Sequence, residues 1–148
     1  MGLTSEQSLY NLAVRTVELE LIPALRSLGI GLIPYSPLHL GLLVGALETA
    51  TEGRISDDST LQRIEAHRDE LEAYEGLCRE LGAANPAEVA LAWLLRNPVV
   101  ATTVVGATTI EELQSDLGAL TVQLDAEVME RLDQIWPGPG EALQAYAW

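Results

Sequence analysis

Lysine is absent from this chain of 148 residues, and all eight basic side chains are arginine. That absence excludes a Schiff-base lysine, the phosphate-clamping lysine of a P-loop, and a lysine that perturbs a catalytic tyrosine. Cysteine is nearly as scarce. Cys78 is the one thiol, so no disulfide forms within the chain. Its spacing with Leu71, Tyr74 and Leu81 points to a small core hydrophobe rather than a nucleophile. Basic charge is short overall, with 8 arginines against 22 acids and a formal net charge of −14. Such a chain lacks the footprint that neutralises nucleic-acid phosphates, and an anionic membrane surface repels it, so neither is expected as a partner. No segment reaches about 18 uninterrupted apolar residues. Met1-Gly2-Leu3-Thr4 also lacks the basic and apolar regions of a signal peptide, so a cytoplasmic location is expected. No Ser-His-Asp order, metal-binding histidine pair or P-loop occurs. Asp57-Asp58 and the acids from Glu65 to Glu75 read as helix-start and solvent-facing charges, so no metal site is expected.

What is present is enough for one folded domain, residues 1–148, because 48% of the chain is hydrophobic and a length of this order buries a core. Two segments share one layout. Gly31-Leu32-Ile33-Pro34-Tyr35-Ser36-Pro37-Leu38 runs an apolar strand into a polar turn, and Ala101-Thr102-Thr103-Val104-Val105-Gly106-Ala107-Thr108-Thr109 repeats it before a helix near Ile110. Each places backbone N–H groups and small side chains at the carboxyl end of a buried strand, where α/β folds bind ligands.

The rest of the chain alternates in the same way. A strand is expected within Leu3 to Leu9, and a helix over about Glu18 to Leu28, with Pro23 in its first turn and Gly29 as its stop. Leu38 to Ser59 reads as a long connection. Leu61, Ile64, Leu71, Tyr74, Leu77, Cys78 and Leu81 fit one helical face ended by Gly82. Asn85 and Pro86 start another helix that Asn97-Pro98 ends. Strand Ala101 to Val105, a helix over Thr109 to Leu120 and one over Ala126 to Ile135 behind Asp125 follow. The order β-α-β-α-α-β-α-α implies about three parallel strands covered by helices. Such a sheet leaves two unpaired edges, so the unit is expected to belong to something larger or to dimerise.

Gln7, Leu9-Tyr10-Asn11-Leu12, Arg15, Gly29-Ile30-Gly31, Tyr35-Ser36-Pro37-Leu38, Gly41-Leu42-Leu43 and Val105-Gly106-Ala107-Thr108-Thr109 together resemble the aldo-keto reductases. Gly138-Pro139-Gly140 and Ala145-Tyr146-Ala147-Trp148 resemble the end of bacterial members. The resemblance covers only strands six to eight of that family's (β/α)8 barrel and the tail, implying an α/β fold that is a partial TIM barrel. The family transfers hydride between NADP(H) or NAD(H) and a carbonyl, using an Asp, Tyr, Lys and His set on earlier strands. A reductase complete in this chain is therefore not expected. The resemblance implies that Gln7 meets the nicotinamide carboxamide and Tyr35 stacks on its ring. It also implies that Ser36, Leu38 and Gly41 follow the pyrophosphate, and that Gly106, Ala107 and Thr108 approach the adenosine phosphate.

Departures weaken that cofactor site. Glu112 stands where NADP-preferring relatives carry Arg or Gln, Ser115-Asp116 where they carry Glu-Asn, and Val105 where they carry proline. A carboxylate in place of a guanidinium repels the 2′-phosphate. Thr108 with Glu111 and Thr109 with Glu112 also fit the capping-box spacing, which competes with a phosphate for the same N–H groups. Tyr35 reads as a ligand-facing aromatic or a structural one. His39, beyond the second strand, is the candidate for new acid-base chemistry, though neither it nor His67 matches the family's histidine. His67 is expected in solvent and Trp93 in a core, while Trp136 and Trp148 flank the tail.

Two uses follow. In one, the chain is the C-terminal, cofactor-contacting part of a reductase, either an isolated fragment or one piece of a split enzyme completed by an N-terminal half-barrel chain. In the other, a free-standing unit, as Met1 just before the first strand suggests, pairs with a second copy of itself. It then binds or converts an apolar small molecule without hydride transfer.

Overall fold

In the computed structural model, which describes residues 2–51 and 57–140, the first strand forms within the expected Leu3 to Leu9, and the first helix ends at Leu28 as expected but begins at Leu21 rather than Glu18. β1 (Ser5–Leu9) and β2 (Gly31–Tyr35) pair in parallel, with Ser5 opposite Gly31 and Leu9 opposite Tyr35. A 3-10 turn (Thr16–Glu18) and α1 (Leu21–Leu28) make the crossover. Pro23 falls in the first turn of α1, where no intrahelical N–H is lost, and Gly29 closes the helix with a left-handed φ of 64°.

The expected third strand is present as a path but not as a full ladder. Leu32 N–H donates to the Val99 carbonyl at 2.8 Å, and Ala101 N–H to the Leu32 carbonyl at 2.9 Å, a parallel register beside β2. The next rung needs an N–H from residue 34, which is proline and has none. Pairing resumes out of step. Val104 rather than Thr103 donates its N–H to the Pro34 carbonyl at 2.9 Å, while the Thr103 hydroxyl donates to the same oxygen at 3.3 Å. The expectation of about three strands is thus corrected to a two-stranded sheet flanked by an extended segment. Glycine at 31 permits the close approach, since a Cβ there would meet Ala101 Cβ at 2.9 Å.

Two further expectations change. The connection after Pro37 is not an open loop: it contains a 3-10 stretch (His39–Val44) and α2 (Ala46–Thr51), while residues 52–56 lie outside the described part. The helical face from Leu61 to Leu81 is split into α3 (Asp58–Ala66) and α4 (Arg68–Glu80) by His67, whose φ of −123° leaves the helix. Each half has its own acidic first turn, at Asp58 and at Asp69 and Glu70. The later helices match their caps. Asn85 accepts from Ala87 N–H at the start of α5 (Pro86–Leu95), Thr109 starts α6 (Ile110–Gly118), and Asp125 accepts from Val128 N–H at the start of α7 (Ala126–Ile135). The Ala145–Trp148 motif lies outside the described residues.

The core gathers Tyr10, Leu12, Leu32, Leu42, Tyr74 and Leu94 around α5, whose residues 89–94 are all buried. One polar residue is buried with them. Asn11 is 0% exposed and nonetheless bonded at both ends of its amide: its Nδ2 donates to the Ser36 carbonyl at 2.9 Å, and its Oδ1 accepts from Ala13 N–H at 3.0 Å and Val14 N–H at 2.8 Å. It fastens the turn after β1 to the turn after β2. Replacing it with alanine strands Ala13 N–H and removes the bridge between the turns, while the Ser36 carbonyl keeps His39 N–H and Val14 N–H keeps the Asn11 backbone carbonyl, so Asn11→Ala lowers unfolding free energy by about 1 to 3 kcal/mol. Urea denaturation followed by circular dichroism measures this, and a loss under about 1 kcal/mol contradicts the latch.

Candidate functional site

Just past β2 the chain makes an unusual run of left-handed residues. Ser36 (φ 51°), His39 (φ 49°) and Leu40 (φ 55°) adopt a region that side chains disfavour, and Gly41 follows at φ 88°. Such residues cost on the order of 1 kcal/mol each, so surrounding contacts must hold them. The Ser36 carbonyl does so by accepting from both Asn11 Nδ2 and His39 N–H, while the Leu38 carbonyl accepts from Gly41 and Leu43 N–H groups. The loop is thereby folded back across the carboxyl end of the sheet.

Between this loop, the first turn of α5 and the start of α6 lies a cavity of about 650 Å³. Tyr35, Ser36, Leu38, Gly41, Gly106, Ala107, Glu112 and Asp116, all singled out by the sequence, line it together. Gln7 and Thr108 lie outside its lining: Gln7 is exposed in β1 opposite Ile33, and Thr108 bonds Glu112. Tyr35 is 42% exposed, which leaves its ring free to stack. Sequence reasoning missed Leu40 and Val44 in the apolar wall, and it gave Asn85 a capping role only. Asn85 could have been found from topology, because helices that follow strands in α/β units begin at the ligand-binding end.

The polar part of the lining is acidic. Glu112 Oε2 accepts from Thr108 N–H at 2.6 Å, the Thr108 hydroxyl at 2.9 Å and Thr109 N–H at 3.3 Å. In return Glu112 N–H donates to the Thr109 hydroxyl at 3.1 Å, completing a capping box. Thr108 therefore pairs with Glu112, not with Glu111. These bonds hold the Glu112 carboxyl below its ordinary range, whereas burial and the Glu112 charge raise Asp116. Ser115 Oγ is buried in the same lining without a hydrogen-bond partner. Among the described residues no arginine lines the cavity. Arg15 binds Glu18 and Asp133, Arg68 binds Glu65, and Arg131 binds Glu80.

Elsewhere, two expectations meet the structure differently. Burial pushes the Cys78 thiol up to about 12, consistent with its expected place in the core. His67, expected in solvent, is partly buried instead, its ring 6.1 Å from His39 and 5.6 Å from Trp136. His39 thus packs against a ring cluster and not into the cavity lining. No group of three or more His, Cys, Asp or Glu that could hold a metal occurs among the described residues, and no helix there is long and apolar enough to cross a membrane.

Burial, then His67 and Arg63, lower His39 from its ordinary 6.5. The unfolded chain therefore binds the His39 proton more readily, and stability falls as pH drops from about 6.5 toward the lower folded value. Asparagine tolerates a left-handed φ. The expected outcome is that His39→Asn flattens the pH dependence of the thermal midpoint between pH 7 and pH 5, and an unchanged slope contradicts it.

A family model described as "Aldo/keto reductase family" matches residues 1–137. Among curated relatives, "Uncharacterized oxidoreductase YrpG" of Bacillus subtilis is 45% identical over 150 residues, covering 100% of this chain and 45% of that protein. "Probable aldo-keto reductase 1" of Glycine max is 30% identical over 140 residues, covering 91% and 40%. "Protein tas" of Escherichia coli is 28% identical over 134 residues, covering 87% and 38%. The chain thus spans 38% to 45% of the length of these relatives.

Proposed function

The chain belongs to the aldo/keto reductase family, and from that premise we propose that it is the nucleotide-contacting part of such an oxidoreductase, a partial barrel whose cavity receives a nicotinamide nucleotide. The observation that carries this is the sharing of one cavity by Tyr35, Ser36, Leu38, Gly41, Gly106 and Ala107. The residues fit one end of the group better than the other. Tyr35 offers a half-exposed ring to a flat heterocycle. Gly106 and Ala107 let backbone approach closely, and Asn85, Ser115 and Asp116 add an amide, a hydroxyl and a carboxylate to the wall. At the phosphate-facing end the N–H groups are already engaged by Glu112. When bound, a reduced nicotinamide supplies hydride.

What this chain's own residues do is bind and orient. Its lack of lysine leaves no residue for the family's lysine role, and Cys78 is a buried, protonated thiol. On this reading the proton donor comes from a complementary segment. Their packing surface has support in the fold. Among the described residues the outer edge of β1 has no strand beside it, and α6 exposes Ile110 (70%), Leu113 (45%) and Leu117 (55%) at helical spacing. A complementary N-terminal half-barrel chain covers that edge and stripe on this reading. The stripe equally supports the second use, in which another copy packs there and the cavity serves an apolar small molecule.

Titrating the chain into NADH tests the first reading. We expect altered nicotinamide emission and roughly three- to tenfold weaker binding by Tyr35→Ala, from loss of a stacking contact of about 0.5 to 1.5 kcal/mol. The same preparation is expected to leave NADH unconsumed in the presence of an aldehyde. Unchanged emission at saturation, or steady aldehyde reduction by this chain alone, contradicts the reading.

A further inference from the structure

We infer that the cavity discriminates against a distal phosphomonoester and takes a nicotinamide nucleotide whose adenosine ribose carries free hydroxyls. This rests on the nucleotide-binding reading above. The turn that leads into α6 borders the cavity through Ala107 and Glu112, and the N–H groups at such a helix entry suit an anion. Those of Thr108 and Thr109 are not vacant. Glu112 Oε2 takes Thr108 N–H, Thr109 N–H and the Thr108 hydroxyl together, so the chain carries its own anion where a phosphate would sit.

An entering phosphomonoester has to break those three bonds and then lie beside the displaced carboxylate. Asp116, one helical turn further on and also in the lining, adds a second like charge, and no arginine among the described residues lines the cavity to offset either. A ribose with free hydroxyls meets the opposite situation. Glu112 Oε1 accepts no hydrogen bond within the described residues, whereas Oε2 is fully engaged. The free oxygen suits a hydroxyl donor, and a charged acceptor makes such a bond stronger than a neutral one. Ser115 Oγ gives independent support. It is buried in the same wall without a partner, and its position, three residues from Glu112, puts it on the same helix face. A ligand hydroxyl satisfies it; a dianion does so only next to two carboxylates.

Binding of NADH and NADPH by calorimetry separates the possibilities. The expected result is NADH at least about tenfold tighter than NADPH. Glu112→Gln, which keeps an amide oxygen for the cap and removes the charge, should narrow the gap to within about threefold. Should Glu112→Gln lose helical circular dichroism, Asp116→Asn reads the same repulsion without touching the cap. NADPH binding as tightly as NADH overturns the inference and leaves the nucleotide-binding reading standing. A preference for NADH that neither variant alters also overturns it. Failure of both nucleotides to bind overturns the reading itself, and the inference with it.

Discussion

A single buried amide determines where the cavity lies. Asn11 is surrounded by core yet has its carbonyl oxygen and amide nitrogen engaged by three backbone groups, so its desolvation is offset only while the two strand-end turns stay together. Its bond to the Ser36 carbonyl fixes a residue that would otherwise leave the left-handed region. From Ser36 the strained run continues through His39 and Leu40 to Gly41, and Ser36, Leu40 and Gly41 line one wall of the cavity. Local chain geometry alone does not favour that path, and the latch from β1 provides what it lacks.

The opposite wall is shaped by charge. With 22 acids and no lysine, the chain has few cations to distribute, and those described are engaged in structural roles away from the cavity. Arg15 is the clearest case: it bonds Glu18, Asp133 and the Trp136 carbonyl while lying 5.0 Å above the Trp93 ring, tying the end of α7 to the turn after β1. The start of α6 meets its need for an anion internally, through Glu112. An apolar pocket with a half-exposed aromatic thus opens onto an acidic rim, a combination that favours uncharged or hydroxyl-bearing ends of a ligand.

Features set by neighbouring residues were legible in the sequence. Asn85-Pro86, Thr109 and Asp125 mark helix starts because a side-chain oxygen two or three residues before an N–H finds it whatever the rest of the fold does. Gly29 marks an end for the equivalent backbone reason. The break at His67 was not legible, since no glycine or proline announces it and its reason is a ring contact with His39 and Trp136, distant in sequence. Pro34 was visible, but its consequence was not, because a missing N–H matters only once the partner segment at 101–105 is known to lie alongside. The cavity lining was anticipated in large part through family resemblance. Asn11's latch and the engagement of Glu112 by Thr108 depend on three-dimensional placement that spacing alone does not give.

The central claim is that ligand enters between the loop after β2 and the start of α6. The direct measurement is a titration of the 15N-labelled chain with NADH followed by 1H–15N correlation NMR. The account predicts shifts concentrated in residues 35–41 and 104–116, with those of α4 and α7 unmoved. Shifts centred on the surface where α4 meets α7, or scattered evenly over the chain, contradict it.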